Sequence, residues 1–197
     1  MSTQQFSDLN EVKKHLKDIV KYMESTVDLE IAARYIVPLC LIDYLSKLYD
    51  KSNSSGSDKY KNFINEIMAE VNPKYKTFRY TINYDTDEKN NLPTQMYHVL
   101  RCGFVHSFSL IPDNKAKGKG GRDRSIILGF KEDNNLNHLD NFSCEGVRDA
   151  CLFILDDFIS DLDKSIDILF EKVNNDENLK KHILKLVSDY PYIGAIN

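Results

Sequence analysis

Arg101 and His106 are the two residues of this chain whose types and spacing best suit a chemical reaction. They stand at the two ends of the segment Arg101-Cys-Gly-Phe-Val-His106, at the end of an apolar helical run. An arginine side chain stays charged, and its fork of N–H groups fits phosphate oxygens. A histidine side chain takes up and releases a proton near neutral pH. Together the two groups are a minimal set of catalytic side chains for cleaving a phosphodiester without a metal ion.

RNA is the natural substrate for such a pair of side chains because its own 2′-hydroxyl can act as the nucleophile. His106 would act as general base or general acid, a role typically worth ~10²–10⁴ in rate. Arg101 would hold the phosphate and stabilise the charge that develops on it. The products would end in a 2′,3′-cyclic phosphate. The chemistry needs no metal ion and no cofactor.

The spacing of the pair sets a geometric condition on the site. On a regular helix, positions five apart differ by roughly 140° in azimuth, because one turn takes ~3.6 residues. Arg101 and His106 therefore do not share one face of a straight helix. Three arrangements remain: the helix loosens at Gly103, the arginine wraps around it, or a second chain completes each pair.

Composition limits the class of protein. The 197 residues carry a net charge of −4 and are 42% hydrophobic, which is typical of a soluble globular domain. The net charge argues against a protein that coats nucleic acid nonspecifically. Four cysteines form no CxxC pair, so no zinc framework is visible. With neither a signal peptide nor a membrane-spanning apolar run, we expect a cytoplasmic protein without membrane contact.

Apolar periodicity predicts a mainly α-helical chain that would position the motif. Ser7 is the expected N-cap of the first helix, Asp28 that of the second, and Pro38 is expected to kink or split the second. Pro93 fits the first turn of the helix that carries the motif. Ser143 begins a capping box for a long helix, although its glutamate, Glu145, falls at the second helical position and not the third. The predicted helices span residues 8–24, 28–49, 58–71, 93–106, 145–173 and 177–189.

A change in the sequence pattern after the motif predicts a small β-hairpin. Residues 108–111 and 125–130 are its expected strands, and a glycine-rich basic loop joins them. The cationic side chains of the loop either bind along an RNA backbone or lie in solvent at the tip of the hairpin. These cations are Lys115, Lys117, Lys119, Arg122 and Arg124.

Three further residues are candidates for supporting the site. Asp43 lies in the apolar second helix, where it either orients Arg101 or His106 or faces solvent. His98 precedes Arg101 by three positions and either lines the same cleft or lies on the surface. Cys102 follows Arg101 directly. The alternative for the whole motif is a structural arginine and a helix-end histidine that binds local carbonyls.

The segment Tyr97-His-Val-Leu-Arg-Cys-Gly-Phe-Val-His106-Ser resembles the HEPN superfamily, the higher eukaryote and prokaryote nucleotide-binding domains. The resemblance implies a helical bundle and a metal-independent endoribonuclease of a bacterial toxin, defence or stress system. It also implies a homodimer in which Arg101 and His106 of two protomers share one cleft. The implied partners are RNA, mainly single-stranded, and an antitoxin or regulatory protein.

Two positions depart from the family pattern. Many members carry a polar residue directly after the arginine, where this chain has Cys102. Members controlled by a nucleotidyltransferase antitoxin often carry a tyrosine two residues after the histidine, where this chain has Phe108. The resemblance therefore argues against control by modification of that residue.

The resulting prediction is a single mainly α, HEPN-like helical domain over residues 1–197. A β-hairpin and basic-loop insertion is expected at about 108–140. The predicted activity is metal-independent RNA cleavage by Arg101 and His106. The alternatives are a catalytically silent HEPN-like module that binds a nucleotide, an RNA or a protein partner, and a purely scaffolding bundle.

Overall fold

A computed structural model of the chain shows a mainly α-helical protein with a small three-stranded sheet. It describes residues 3–4, 6, 8–25, 31–80, 91–107, 126–130, 136–144, 147–189 and 192–193. The helices are α1 Leu9–Ser25, α2 Ile31–Tyr49, α3 Gly56–Phe63, α4 Ala69–Val71, α5 Lys74–Thr77, α6 Leu92–Gln95, α7 Cys102–Ser107, α8 Leu155–Asn174 and α9 Glu177–Asp189. Two π-helical segments, Ile64–Met68 and Met96–Arg101, join α3 to α4 and α6 to α7. The mainly α prediction is confirmed.

Most helix starts follow from local capping. Asp8 caps α1, because its carboxylate accepts hydrogen bonds from two N–H groups of the first turn at 2.7 and 3.0 Å. Ser7, the predicted cap, and residue 28, expected to cap α2, lie outside the described residues. Pro38 lies within α2 without dividing it. Pro93 occupies the first turn of α6, as predicted.

The strands are β1 Thr3–Gln4, β2 Ile126–Gly129, β3 Asn141–Cys144, β4 Val147–Ile154 and β5 Tyr192–Ile193. The three-stranded sheet has the order β2-β4-β3, with β2 parallel and β3 antiparallel to β4. The short terminal strands β1 and β5 pair with each other. The prediction of a strand over 125–130 is confirmed by β2. Its predicted hairpin partner, 108–111, lies outside the described residues, and the partner of β2 that is seen is β4.

The prediction of one long helix over 145–173 is wrong in its first part. Residues Val147–Ile154 form the central strand β4, and the helix begins only at Leu155. Residues 150–154 are all buried. A strand covered on both faces reads as a continuous apolar run, which periodicity does not separate from a buried helix. Ser143 caps no helix; it lies in β3, and its hydroxyl accepts the N–H of Asp149, 3.1 Å away.

The core lies between α2 and the helices around it. Helix α1 buries one face, with Val12, Leu16 and Val20 inside, as expected of an amphipathic helix. Its partner is α8, to which Lys17 bonds through the backbone oxygen of Asp163 and the carboxylate of Asp167, each 2.7 Å away. These bonds join the first long helix to a segment more than four fifths of the way along the chain.

The sheet is fastened to the helices by buried polar contacts. The Tyr35 hydroxyl of α2 donates to the Phe153 carbonyl of β4 at 2.8 Å and lies 3.4 Å from the Gly129 carbonyl at the end of β2. The Tyr35 ring stacks on Phe104 of α7, with centroids 6.3 Å apart. Tyr35 therefore links the sheet to the helix that carries the motif.

No helix among the described residues combines the length and the apolar character needed to cross a membrane.

Candidate functional site

Arg101 and His106 lie on one continuous helix, here called the motif helix, which consists of α6, the π-helical segment Met96–Arg101 and α7. Asn91 caps it, accepting the N–H of Thr94 at 2.9 Å. The irregular geometry ends with Arg101 and does not fall at Gly103, which lies in the regular α-helix that begins at Cys102. The two motif positions therefore keep an azimuthal separation of roughly 140°. π-Helical turns within α-helices are frequent at functional sites.

The Arg101 guanidinium forms an ion pair with Asp43 of α2. Its Nε donates to Oδ2 of Asp43 at 2.8 Å, and its Nη2 lies 2.7 Å from the same oxygen. Each side chain is only 22% exposed, so water screens the pair less than it would at an open surface. Of the two alternatives for Asp43, the structure has the one in which it contacts Arg101. Its role in a reaction stays a prediction.

Aromatic rings also lie near the guanidinium. The Arg101 guanidinium carbon lies 5.6 Å from the centroid of Tyr97, a cation–π distance. The Tyr97 ring packs edge-on against Tyr60, which is fully buried, with centroids 5.4 Å apart. Asp43 and Tyr97 therefore hold Arg101 from two directions, and its orientation is set by packing.

The environment also keeps Arg101 charged. Partial burial acts to lower the pKa of the guanidinium, but the hydrogen bonds and negative charge of Asp43 outweigh it. The net effect raises the pKa of Arg101 above its ordinary value. The arginine is thus a fixed positive charge at any pH at which the protein stays folded.

Cys102 and His98 lie near this cluster in different ways. Cys102 is partly buried, and it contributes to the raised pKa of Arg101. His98 is exposed, and its ring lies 5.3 Å from that of Tyr97. Their predicted roles as site support remain predictions.

Other predicted site residues lie outside what the structure describes. His106 belongs to α7 by its backbone, but its side chain is not among the described groups. The whole basic loop and Phe108 lie outside the described residues. The loop residues are Lys115, Lys117, Lys119, Arg122 and Arg124. Their contacts with RNA stay predictions.

A groove between α1 and α2 was not predicted from the sequence. Its volume is about 600 Å³. It is lined by Phe6, His15, Asp18, Ile19, Tyr22, Val37, Cys40, Leu41 and Tyr44. On each helix the lining residues recur at i, i+3, i+4 and i+7, the spacing of one helical face. That repeat was a usable signal, but the same pattern more often marks a core-facing stripe.

A buried polar network around His138 was also missed. His138 Nδ1 accepts the N–H of Ile154 at 3.0 Å, so the neutral ring carries its proton on Nε2. That nitrogen lies 3.0 Å from the hydroxyl of Tyr75 and 3.9 Å from Oδ2 of Asp161 on α8. Burial, and secondarily the charge of Lys74, lower the pKa of His138 to about 3. The network is enclosed, and it fastens the end of β4 to α8.

Among the residues that the structure describes, no group of three His, Cys, Asp or Glu side chains could hold a metal ion. The chain matches no family model, and neither a curated protein nor a solved structure is detectably similar to it.

Proposed function

We propose that the protein is a metal-independent endoribonuclease that uses Arg101 and His106. The observation that carries the proposal is the fixed, charged guanidinium of Arg101, held by Asp43 at 2.8 Å on the helix that continues to His106. A preorganised cation of this kind stabilises charge on a phosphate at little reorganisation cost. The helical architecture and the Arg-x4-His text agree with a HEPN-like protein.

The proposed reaction is an intramolecular transfer within the RNA. The 2′-oxygen attacks the adjacent phosphorus, its proton passes to a general base, and the bond from phosphorus to the 5′-oxygen breaks. The leaving 5′-oxygen takes a proton from a general acid. The products are a 2′,3′-cyclic phosphate and a 5′-hydroxyl, so no water is consumed. His106 serves as base or acid, and Arg101 binds the non-bridging phosphate oxygens.

A second chain completes the site in this proposal. Positions 101 and 106 are about 140° apart around one helix, so two protomers related by a two-fold axis would place the arginine of one near the histidine of the other. Single-stranded RNA is the proposed substrate. A bacterial defence, toxin or stress system with an antitoxin or regulatory partner is the proposed setting.

Cleavage of labelled single-stranded RNA in EDTA tests the activity. Wild type is compared with Arg101→Ala and His106→Ala. His182→Ala is the matched control, because the hydrogen bond that the described residues show for His182 is to the Lys47 carbonyl, 2.9 Å away on α2. We expect both motif variants to lose ~10²–10⁴ of the rate and the control to keep it. Cyclic-phosphate ends are expected on the product. Cleavage that needs a metal, or that survives both motif substitutions, would contradict the proposal.

The second candidate is a catalytically silent module that binds a nucleotide, an RNA or a protein. The Asp43–Arg101 ion pair favours it, because a pair this well satisfied is also a good structural contact. A folded wild type that binds RNA without cutting any sequence in EDTA or in magnesium would support this candidate over the nuclease.

A further inference from the structure

The groove between α1 and α2 has the size and lining of a binding site for a planar organic group. Its volume of about 600 Å³ lies within the range of small-molecule sites. Three aromatic side chains line it, namely Phe6, Tyr22 and Tyr44. A few polar groups, Asp18 among them, stand within this apolar lining, which is the usual arrangement of an orienting site.

The groove leaves large apolar side chains in solvent. Tyr22 is 66% exposed and Val37 is 42% exposed. In the described part of the chain, the only other exposed large hydrophobic residue is Leu136, which does not line the groove. An aromatic ring that faces solvent beside a cleft offers a stacking surface at low conformational cost.

One wall of the groove belongs to the same stretch of α2 as Asp43, the carboxylate that pairs with Arg101. Cys40 lines it one helical turn before Asp43, and Tyr44 lines it directly after Asp43. Burial raises the pKa of the Cys40 thiol, the charge of Asp43 raises it further, and the charge of Arg101 lowers it. Both members of the ion pair are thus within electrostatic reach of the groove wall. A cation for phosphate and aromatic faces for bases are the two parts of a single-strand binding surface.

We propose that this groove binds a nucleobase of an RNA strand whose phosphate lies on Arg101. The inference rests on the proposed function, which puts a phosphate at that arginine. The base stacks on Tyr22 and Tyr44, while Asp43, neutralised by Arg101, does not repel the backbone. The occupant is therefore a nucleotide unit of the substrate.

Asp18 gives the groove a base preference. Its side chain is exposed, and it interacts electrostatically with His15, which also lines the groove. A carboxylate accepts hydrogen bonds from the exocyclic amino group of a base, as it does with the N4 group of cytosine. Uracil has no such group. The groove consequently favours adenine, cytosine or guanine over uracil.

Binding of 2′-O-methyl oligonucleotides tests the inference apart from catalysis, because these strands lack the 2′-hydroxyl that the proposed cleavage requires. Fluorescence anisotropy compares wild type with Tyr22→Leu, and Leu136→Ala is the matched control at an exposed apolar residue away from the groove. Loss of one base–aromatic stack is worth ~5- to 100-fold in Kd. We expect Tyr22→Leu to show that loss and Leu136→Ala to bind as wild type does.

Base preference gives a second readout from the same assay. We expect wild type to bind oligo(A) and oligo(C) about fivefold or more tightly than oligo(U), on the scale of base-edge contacts. We expect Asp18→Asn to reduce the difference in affinity between these oligonucleotides, because an amide both donates and accepts hydrogen bonds. Arg101→Ala weakens all of them alike, as expected for loss of a phosphate contact.

The outcomes separate this inference from the proposed nuclease. If Tyr22→Leu binds as tightly as wild type while Arg101→Ala does not, the groove holds no base and the nuclease proposal stands. If binding depends on Tyr22 but natural RNA is never cut, the base subsite stands and the nuclease proposal fails. If wild type binds no oligonucleotide, the inference is overturned. It is also overturned if Tyr22→Leu leaves RNA binding intact and dissociates an oligomer in sedimentation, since the groove is then a protein interface.

Discussion

Replacing His138 with asparagine removes a buried histidine that must stay neutral in the folded protein. Its Nδ1 accepts the Ile154 N–H at 3.0 Å. Protonation of Nδ1 would place its own N–H opposite that of Ile154, so that two donors would face each other without an acceptor. The folded pKa is about 3, against an ordinary value of 6.5, with burial as the larger cause. Below pH 6.5 the unfolded chain therefore binds a proton on this histidine that the folded chain does not bind. Stability from this group is complete above pH 6.5 and is lost progressively as the pH falls towards 3.

The size of the loss follows from the two pKa values. Each pH unit below 6.5 costs about 1.4 kcal/mol until the folded pKa is approached, which gives about 2 kcal/mol by pH 5. Asp161 acts in the opposite direction, because burial raises its pKa. Asp161 is present in both proteins, so most of its contribution cancels, and the difference between wild type and variant reports mainly His138.

Urea denaturation at pH 7.5 and pH 5 measures the effect. Asparagine keeps an acceptor near the Ile154 N–H but loses the Tyr75 contact, so His138→Asn starts about 1–3 kcal/mol less stable at pH 7.5. We expect the variant to lose about 2 kcal/mol less than wild type on going to pH 5. His98→Asn, at an exposed histidine, is the control and follows wild type. Equal acid losses in wild type and His138→Asn would refute the assignment of a neutral buried ring.

Three further predictions concern contacts described above, each measured by urea denaturation. Asp43→Ala leaves Arg101 partly buried without its carboxylate and costs about 1.5–3 kcal/mol, whereas Asp43→Asn keeps a hydrogen bond and costs less; equal losses would show that the pair is not the important contact. Tyr35→Phe removes a buried hydroxyl that bonds the β4 carbonyl and costs about 1–2 kcal/mol, and an unchanged midpoint would mean that this bond is not formed in solution. Ser55→Ala removes the hydroxyl that caps α3 through the N–H of Asp58, 3.2 Å away, and costs about 1 kcal/mol, whereas Ser55→Asp restores the cap.

Helices with local signals were predictable from the sequence. Helix α9 begins and ends at the predicted residues 177 and 189, because Asp176 caps it and its apolar residues recur on one face. Helix α1 likewise follows its amphipathic pattern. Such features depend on neighbours within a few positions of the chain, which a single sequence displays directly.

Features that depend on the tertiary environment were predicted less well. The strand β4 was assigned to a helix because its apolar run satisfies both periodicities, and only its central place in the sheet decides between them. Asp43 was identified as a candidate, but its contact with Arg101 spans 58 positions, so the alternative of a solvent-facing carboxylate remained open until the helices were packed. Tyr97, four positions before Arg101, was a local signal that was passed over.

The bonds from Lys17 to α8 have a consequence for how the chain acquires its structure during synthesis. They join positions 146 and 150 residues apart, so α1 lacks its packing partner until the ribosome has released α8. Until then the apolar face of α1, with Leu16 and Val20, stays in contact with solvent or with whatever binds it. Contacts of such long sequence separation slow folding and prolong the exposure of apolar surface. A nascent chain of this protein therefore depends on its late segments to protect its earliest long helix.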